Sequence, residues 1–337
     1  MAKKSYFLPA LSEFFETYLP ETKGLSANTI RSYKQAFRLL LEYIHAVCGL
    51  LPEKIEFRHL EKGTIEAWLN WLCAERGCSS KTRNHRLSAL VTFARFALKR
   101  DFSGALAFCA EVEHLPKKKS AKQKEAVHFT KEEMSILLRL PSTISEIGKR
   151  DKVMLSTLYA SGARAQELCD LTVGDTKFGT TTTLTLHGKG NKTRTIVIPE
   201  KSVLLLKAHM ERNNLTNATP LRHMFSSQTH EHMTISCVEA VVQKYVLMAK
   251  NLRPDLFPEH YTPHSFRHSI AYHMLESGIP LPVIKTFLGH ASISSTLIYA
   301  SANFELVSKY LRGKNPYSEQ DTEIDQSAVS IIPRFLK

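Results

Sequence analysis

Pro263-His264-Ser265-Phe266-Arg267-His268, followed by Leu288-Gly289-His290 and then Ile298-Tyr299-Ala300, is the stretch from which the rest of the chain can be read. A neutral phenol with a pKa of about 10 is a poor nucleophile. A tyrosine that attacks a phosphodiester therefore needs cations around the phosphate and a proton acceptor close by. Both precede Tyr299 at fixed distances. His264 and Arg267 stand three apart at a helix start set by Pro263, so their side chains share a face. His290 comes nine residues before the tyrosine, after a second short helix. A histidine after glycine, or a His/Arg pair on a helix, is common taken alone, and the weight lies in their order.

Two segments upstream complete the pattern. Ser161-Gly162-Ala163-Arg164-Ala165-Gln166-Glu167-Leu168 puts Arg164 just after a glycine turn, near a helix start where free backbone N–H groups also favour an anion. Glu167, three residues on along the same helix face, is placed to hold its guanidinium. Gly188-Lys189-Gly190-Asn191-Lys192 joins two runs rich in threonine and β-branched residues, Thr182 to His187 and Thr193 to Ile198, and reads as a β-hairpin. A hairpin-tip lysine is usually no more than solvent-exposed. Its flexible ammonium is nevertheless suited to deliver a proton, and Lys189 and Lys192 compete for that part. Breaking a strand without water or metal needs a protein nucleophile, charge on the non-bridging oxygens and an acid for the departing oxygen. Arginine serves the second need with its planar fork of donors.

The bulk numbers agree with a polyanionic partner. The chain has 337 residues, a net charge of +13 and a hydrophobic fraction of 43%, which is enough for two globular domains and a basic balance suited to nucleic acid. Basic character also marks ribosomal, membrane-surface and RNA-binding proteins, so charge alone does not single out DNA. No run approaches the roughly 20 apolar residues of a membrane span, and the start lacks a secretion signal, so a cytoplasmic location is expected. Six scattered cysteines form no zinc spacing and read as reduced thiols. No metal or cofactor is expected.

The composition breaks at Leu115 to Lys124, a dense basic run that reads as an extended interdomain linker. Residues 1–113 are expected to form a helical bundle, 114–127 the linker, 128–317 a mostly helical second domain with one small antiparallel sheet, and 318–337 a tail. In the first domain, Ser26 is the N-cap of a helix with Ile30, Tyr33, Phe37, Leu40, Leu41 and Ile44 on one side, ending near Gly49. A second strong helix runs from about Ser80 to Lys99, burying Leu87, Leu90, Val91, Ala94 and Phe96. Lys81, Arg83, Arg86 and Arg95 fall on its other faces. Shorter helices are expected at 11–18 and 63–74. Lys81, Arg83 and Arg86, together with Lys117, Lys118 and Lys119 of the linker, are candidate DNA contacts, although a basic helix face is often merely solvated.

In the motifs around Arg164, Lys189, His264, Arg267, His290 and Tyr299, all in order and spacing, the chain resembles the tyrosine recombinases, or phage integrase family, and its two-domain Xer-like members in particular. The resemblance extends to Leu25-Ser26-Ala27-Asn28-Thr29-Ile30 and Ser79-Ser80-Lys81-Thr82-Arg83-Asn84, which look like helix starts of the family's SAM-like core-binding domain. It implies a mainly α fold of two domains acting on double-stranded DNA. Tyr299 would form a 3′-phosphotyrosyl link, Arg164 and Arg267 would clamp the phosphate, and Lys189 would protonate the 5′-oxygen. His264 would assist proton transfer and His290 would bond a non-bridging oxygen. A homo-tetramer on two duplexes would exchange strands through a Holliday junction, with no nucleotide cofactor. Phe266 stands where the family usually has leucine and is expected to pack inward. The tail, apolar at Ile331 to Leu336 after acidic Glu319, Asp321, Glu323 and Asp325, is expected to dock on its own body, dock in trans, or stay disordered. Alternatives are a type IB topoisomerase-like or hairpin-resolving enzyme, or a DNA-binding protein without catalysis. Accessory proteins and the target sequence are not legible.

Overall fold

The computed structural model describes residues 6–119, 126–188, 190 and 192–301. Lys189, part of the linker, and everything after Ser301, including the expected tail, lie outside them. The chain divides into two compact units, Met1–Lys124 and Glu125–Lys337. Among the described residues no helix is long and apolar enough to cross a membrane.

The first unit is all helical. Helix α1 (Phe7–Glu13) runs directly into a π-helical segment, Phe14–Thr22. Pro20 lies inside that segment and has no N–H to donate to a helical ladder. The two together extend well beyond the expected 11–18. Helix α2 (Ala27–Cys48) starts after Ser26 and stops at Gly49, whose φ of 66° is the left-handed end that glycine tolerates. Helices α3 (Lys62–Ala74) and α4 (Ser80–Arg100) follow, the latter capped by the Ser79 hydroxyl accepting from the Thr82 amide. Helix α5 (Phe102–Glu113) is not anticipated by the sequence reading. The Asp101 carboxylate caps it through the Gly104 amide, and its apolar residues Ala105, Phe108, Cys109 and Val112 are buried. An aromatic cluster fills the centre: Phe93 meets Phe37 at 5.1 Å, Phe14 at 5.2 Å and Phe7 at 5.7 Å between ring centroids, mostly edge to face. Burying each such ring is worth about 1.5–3 kcal/mol.

The second unit opens with α6 (Lys131–Arg139), where Thr130 and Glu133 form a capping box. Helix α7 (Glu146–Ser161) ends at Gly162, and the short α8 (Ala165–Cys169) follows. Strands β1 (Thr176–Lys177), β2 (Thr183–Gly188) and β3 (Lys192–Val197) form an antiparallel sheet in the order β1-β2-β3. The register runs from Thr183 opposite Val197 to Gly188 opposite Lys192. The hairpin was legible; the two-residue β1 was not. Helices α9 (Glu200–Arg212), α10 (Ile235–Leu252), α11 (Pro263–Glu276), α12 (Leu281–Leu288) and α13 (Ser294–Ser301) complete the unit. The mainly α class with a small antiparallel sheet is thus borne out. Phe266 packs inward as expected, fully buried and edge-on to Phe129, which stacks on Tyr261. Helix α11 therefore has one face locked in the core, and α12 and α13 pack across it.

Candidate active site

The site begins at the turn between α7 and α8. Gly162 has a φ of 57°, and a Cβ there would stand 3.0 Å from Leu288 Cδ2. Glycine thus lets the backbone reverse tightly against α12. Arg164 is the residue before α8, with its side chain 42% exposed. Glu167 accepts from the Arg164 backbone amide at 2.9 Å and from Arg164 Nη1 at 2.6 Å, so the expected orienting contact is present. The stronger partner of Glu167 comes from β3: Arg194 donates Nη1 and Nη2 to its two oxygens at 2.9 and 2.8 Å, and Nε to the Phe287 carbonyl at 3.0 Å. One guanidinium ties together the sheet, α8 and α12.

On α11, Arg267 is 1% exposed. It donates to the carbonyls of Gly162 at 2.7 Å and Leu288 at 2.6 Å, the ends of α7 and α12. His264, one turn back, is exposed and stands with its ring 4.6 Å from that of His268. His268 Nδ1 meets the Tyr299 hydroxyl at 2.8 Å. The tyrosine is buried, with its ring in a small apolar cluster with Ala271, Leu275, Ile284 and Leu288. The His290 ring lies nearly parallel to it at 6.4 Å, and His290 Nδ1 is bonded to Thr296 Oγ1 at 2.9 Å. This bond orients the imidazole from the start of α13.

The electrostatics follow from crowding cations around partly dry groups. Burial pushes Arg267 down to about 9, with Arg164 and Arg194 adding repulsion, yet it remains protonated at neutral pH. Desolvation first, then neighbouring positive charge, brings His268 and His290 to about 4 and lowers His264. All three imidazoles are therefore neutral at pH 7. Burial raises the Tyr299 phenol, while Arg267 and Arg164 pull it back. For Glu167, burial alone would raise the pKa; the Arg194 fork and the Arg164 contacts overcome this and bring it to about 2.

Five of the sequence-selected residues, Arg164, His264, Arg267, His290 and Tyr299, come together here with Glu167. Lys189 lies outside the described residues. Lys192 is exposed at the start of β3, opposite Gly188. In the first unit, Lys81, Lys117, Lys118 and Lys119 are exposed, and Arg86 is half-buried. The expectation for Arg83 needs correcting. It is 5% exposed and donates to the Pro116 carbonyl at 3.0 Å and to Asn84 Oδ1 at 3.1 Å. Asn84 in turn binds both the amide and the carbonyl of Lys118. Arg83 thus straps the start of the linker to α4 and does not belong to a free basic face. Helical periodicity misassigned it because a long arginine can bury its stem and spend its head on a backbone carbonyl.

Two residues at the site were given no part by spacing alone. Arg194 shares a strand face with buried Ile196, a two-residue spacing that points it inward. His268 is one turn after His264 on the same helix face. Both signals were available.

The Phage integrase family model matches residues 128–305, and the Phage integrase N-terminal SAM-like domain model matches residues 12–101. The chain is 31% identical over 318 residues to a tyrosine recombinase XerD from Rickettsia prowazekii, covering 89% of this chain and 95% of that protein. It is 32% identical over 301 residues to XerD of Rickettsia bellii, covering 86% and 92%. Its fold is shared with XerH site-specific recombinase bound to palindromic difH substrate in a post-cleavage complex (TM-score 0.68, 19% identity, 84% of this chain and 79% of that one). The buried arginine, the neutral histidines and the tyrosine they surround therefore stand in a known lineage: the chain belongs to the phage integrase family and is a tyrosine recombinase.

Proposed function

We propose that this enzyme breaks and rejoins double-stranded DNA at a specific site through a 3′-phosphotyrosyl intermediate, and exchanges strands between two duplexes through a Holliday junction. The observation that carries the reading is Tyr299 lying within the field of both Arg164 and Arg267, with its hydroxyl on an imidazole. In the cleavage step the Tyr299 oxygen bonds to phosphorus as the bond to the 5′-oxygen breaks. Arg164 and Arg267 carry the charge on the non-bridging oxygens, and His290 donates to one of them. His264 assists proton transfer, and Lys189 supplies the proton to the departing 5′-oxygen. The energy of the broken bond stays in the ester, so a free 5′-hydroxyl from a partner duplex reverses the chemistry with no nucleotide consumed. Four protomers on two duplexes provide the required pairs of active sites. Lys81 and Lys117 to Lys119 contribute phosphate contacts, which position the duplex without specifying its sequence.

The test is incubation with a nicked duplex carrying the cognate site, without magnesium, followed by denaturation. A protein-DNA adduct is expected from the wild type and none from Tyr299→Phe. An adduct that survives in Tyr299→Phe moves the nucleophile elsewhere. A second labelled duplex then separates strand exchange from simple relaxation.

A further inference from the structure

We propose that His268 is a catalytic residue of this enzyme, the group that takes the proton from Tyr299 during strand cleavage and returns it during rejoining. The proposal rests on the function proposed above and goes beyond it, because it assigns the tyrosine's proton to a residue outside the set of six that the motifs single out.

The geometry carries the assignment. His268 Nδ1 and the Tyr299 oxygen are 2.8 Å apart, within the range for direct proton transfer. Both partners are uncharged in the free enzyme, as a transfer from phenol to imidazole requires. The imidazole is held neutral by desolvation and by His264, Arg267, His128 and His290 around it; the phenol is held protonated by burial. The proposed step uses the tautomer in which Nε2 carries the imidazole hydrogen, so that the phenol donates and Nδ1 accepts. His264, by contrast, presents its ring to His268, one step removed from the phenol.

The same crowding explains why a base this weak in the free enzyme strengthens on demand. A phosphodiester entering the site brings a negative charge onto Arg164 and Arg267. That charge offsets the repulsion which depresses His268, raising its basicity when the nucleophile is needed. The step is balanced: the O–H bond of Tyr299 passes its proton to Nδ1, the Tyr299 oxygen bonds to phosphorus, and the bond from phosphorus to the 5′-oxygen breaks. That oxygen takes its own proton from a separate donor. In the reverse direction the imidazolium gives its proton back to Tyr299.

The experiment compares wild type with His268→Asn, whose amide keeps a hydrogen-bonding group near the position of Nδ1 but cannot take a proton. Adduct formation on a nicked cognate duplex is followed from pH 5 to pH 10. In the wild type the rate should rise through an acid limb and then level off. In His268→Asn it should be at least about 100-fold lower at pH 7, within the usual range for a lost general base. It should then rise roughly tenfold per pH unit as solvent ionises the phenol. Replacing Tyr299 with a fluorotyrosine of lower phenol pKa should recover most of the loss in His268→Asn while changing the wild type little. Duplex binding and thermal unfolding of each variant are measured in parallel. A His268→Asn rate within threefold of wild type, with the same acid limb, overturns the proposal. So does a loss that fluorotyrosine fails to recover in a variant that folds and binds normally, since that marks a purely positional role. An adduct in Tyr299→Phe would instead defeat the underlying function, and the two failures are distinguishable.

Discussion

Glu167 and Arg194 meet in a two-point fork, both oxygens engaged at 2.8 and 2.9 Å, with the carboxylate side chain 2% exposed and the guanidinium 11%. A buried ion pair of this kind is weak proof of stability in itself, but removing one partner leaves a charge stranded. Arg194→Ala should lower the stability of the second unit by about 3 kcal/mol, read by urea unfolding. It should also slow adduct formation more than it weakens duplex binding, because Glu167 would no longer fix Arg164. Unchanged stability would show that Arg164 alone satisfies the carboxylate.

Gly289 ends α12 with a φ of 66°, and a Cβ there would lie 2.9 Å from Arg194 Cδ. Gly289→Ala therefore combines a left-handed backbone penalty of about 1–2 kcal/mol with a push on the guanidinium that holds Glu167. Reduced cleavage alongside a lowered melting temperature is expected. Full cleavage activity would mean that Arg194 moves aside freely.

The histidines predict a pH dependence with a definite sign. An unfolded histidine titrates at about 6.5, whereas His268 and His290 in the fold take protons only at about 4. Between those values the unfolded state binds more protons, so stability falls as pH drops through the window and is fully present above it. Trp68 and Trp71, the chain's only two tryptophans, both lie in the first unit. Fluorescence therefore follows that unit, while circular dichroism also sees the second. A dichroism transition whose midpoint stays constant from pH 6.5 down to 4 would contradict the assignment.

Arg83 and Lys81 lie two residues apart on α4 with opposite expected effects. Arg83→Ala removes the donor to the Pro116 carbonyl and should cost about 1.5–3 kcal/mol, as hydrogen bonds from charged groups do, seen by tryptophan fluorescence. Lys81→Ala should leave stability within about 0.5 kcal/mol and weaken duplex binding at low salt. The reverse pattern would restore Arg83 to the DNA-facing set.

For Lys189, the proposed proton donor, replacement by alanine should slow cleavage while leaving binding nearly intact. A substrate with a 5′-bridging sulfur, a better leaving group, should rescue it. Rescue of Lys192→Ala instead would transfer the role to that lysine.

What the sequence reveals and what it hides divide along physical lines. Caps, periodic apolar faces and the β2-β3 hairpin are local, and Ser79, Thr130, Gly49 and Gly162 mark element ends within a residue. Helix α5 escaped notice because Gly104 and a mixed apolar surface blur its pattern, and β1 because two residues carry no periodicity. At the site, residues in motifs could be named from spacing, but their partners could not. The Arg194 fork, the carbonyls that hold Arg267 and the contact between His268 and Tyr299 each join segments far apart in the chain. Arg83 shows the opposite hazard, a charge assigned to solvent by position on a helix and claimed by a carbonyl 33 residues away.

Arg267 holds the carbonyl ends of α7 and α12 at once. The charge proposed to clamp the phosphate is thus also a rivet of the scaffold, and on that reading the domain cannot loosen at either helix and stay armed. Losing the Leu288 carbonyl would leave the guanidinium held by the Gly162 carbonyl alone. On the proposed function, a copy loosened there is expected to lose strand cleavage, whatever becomes of its hold on DNA.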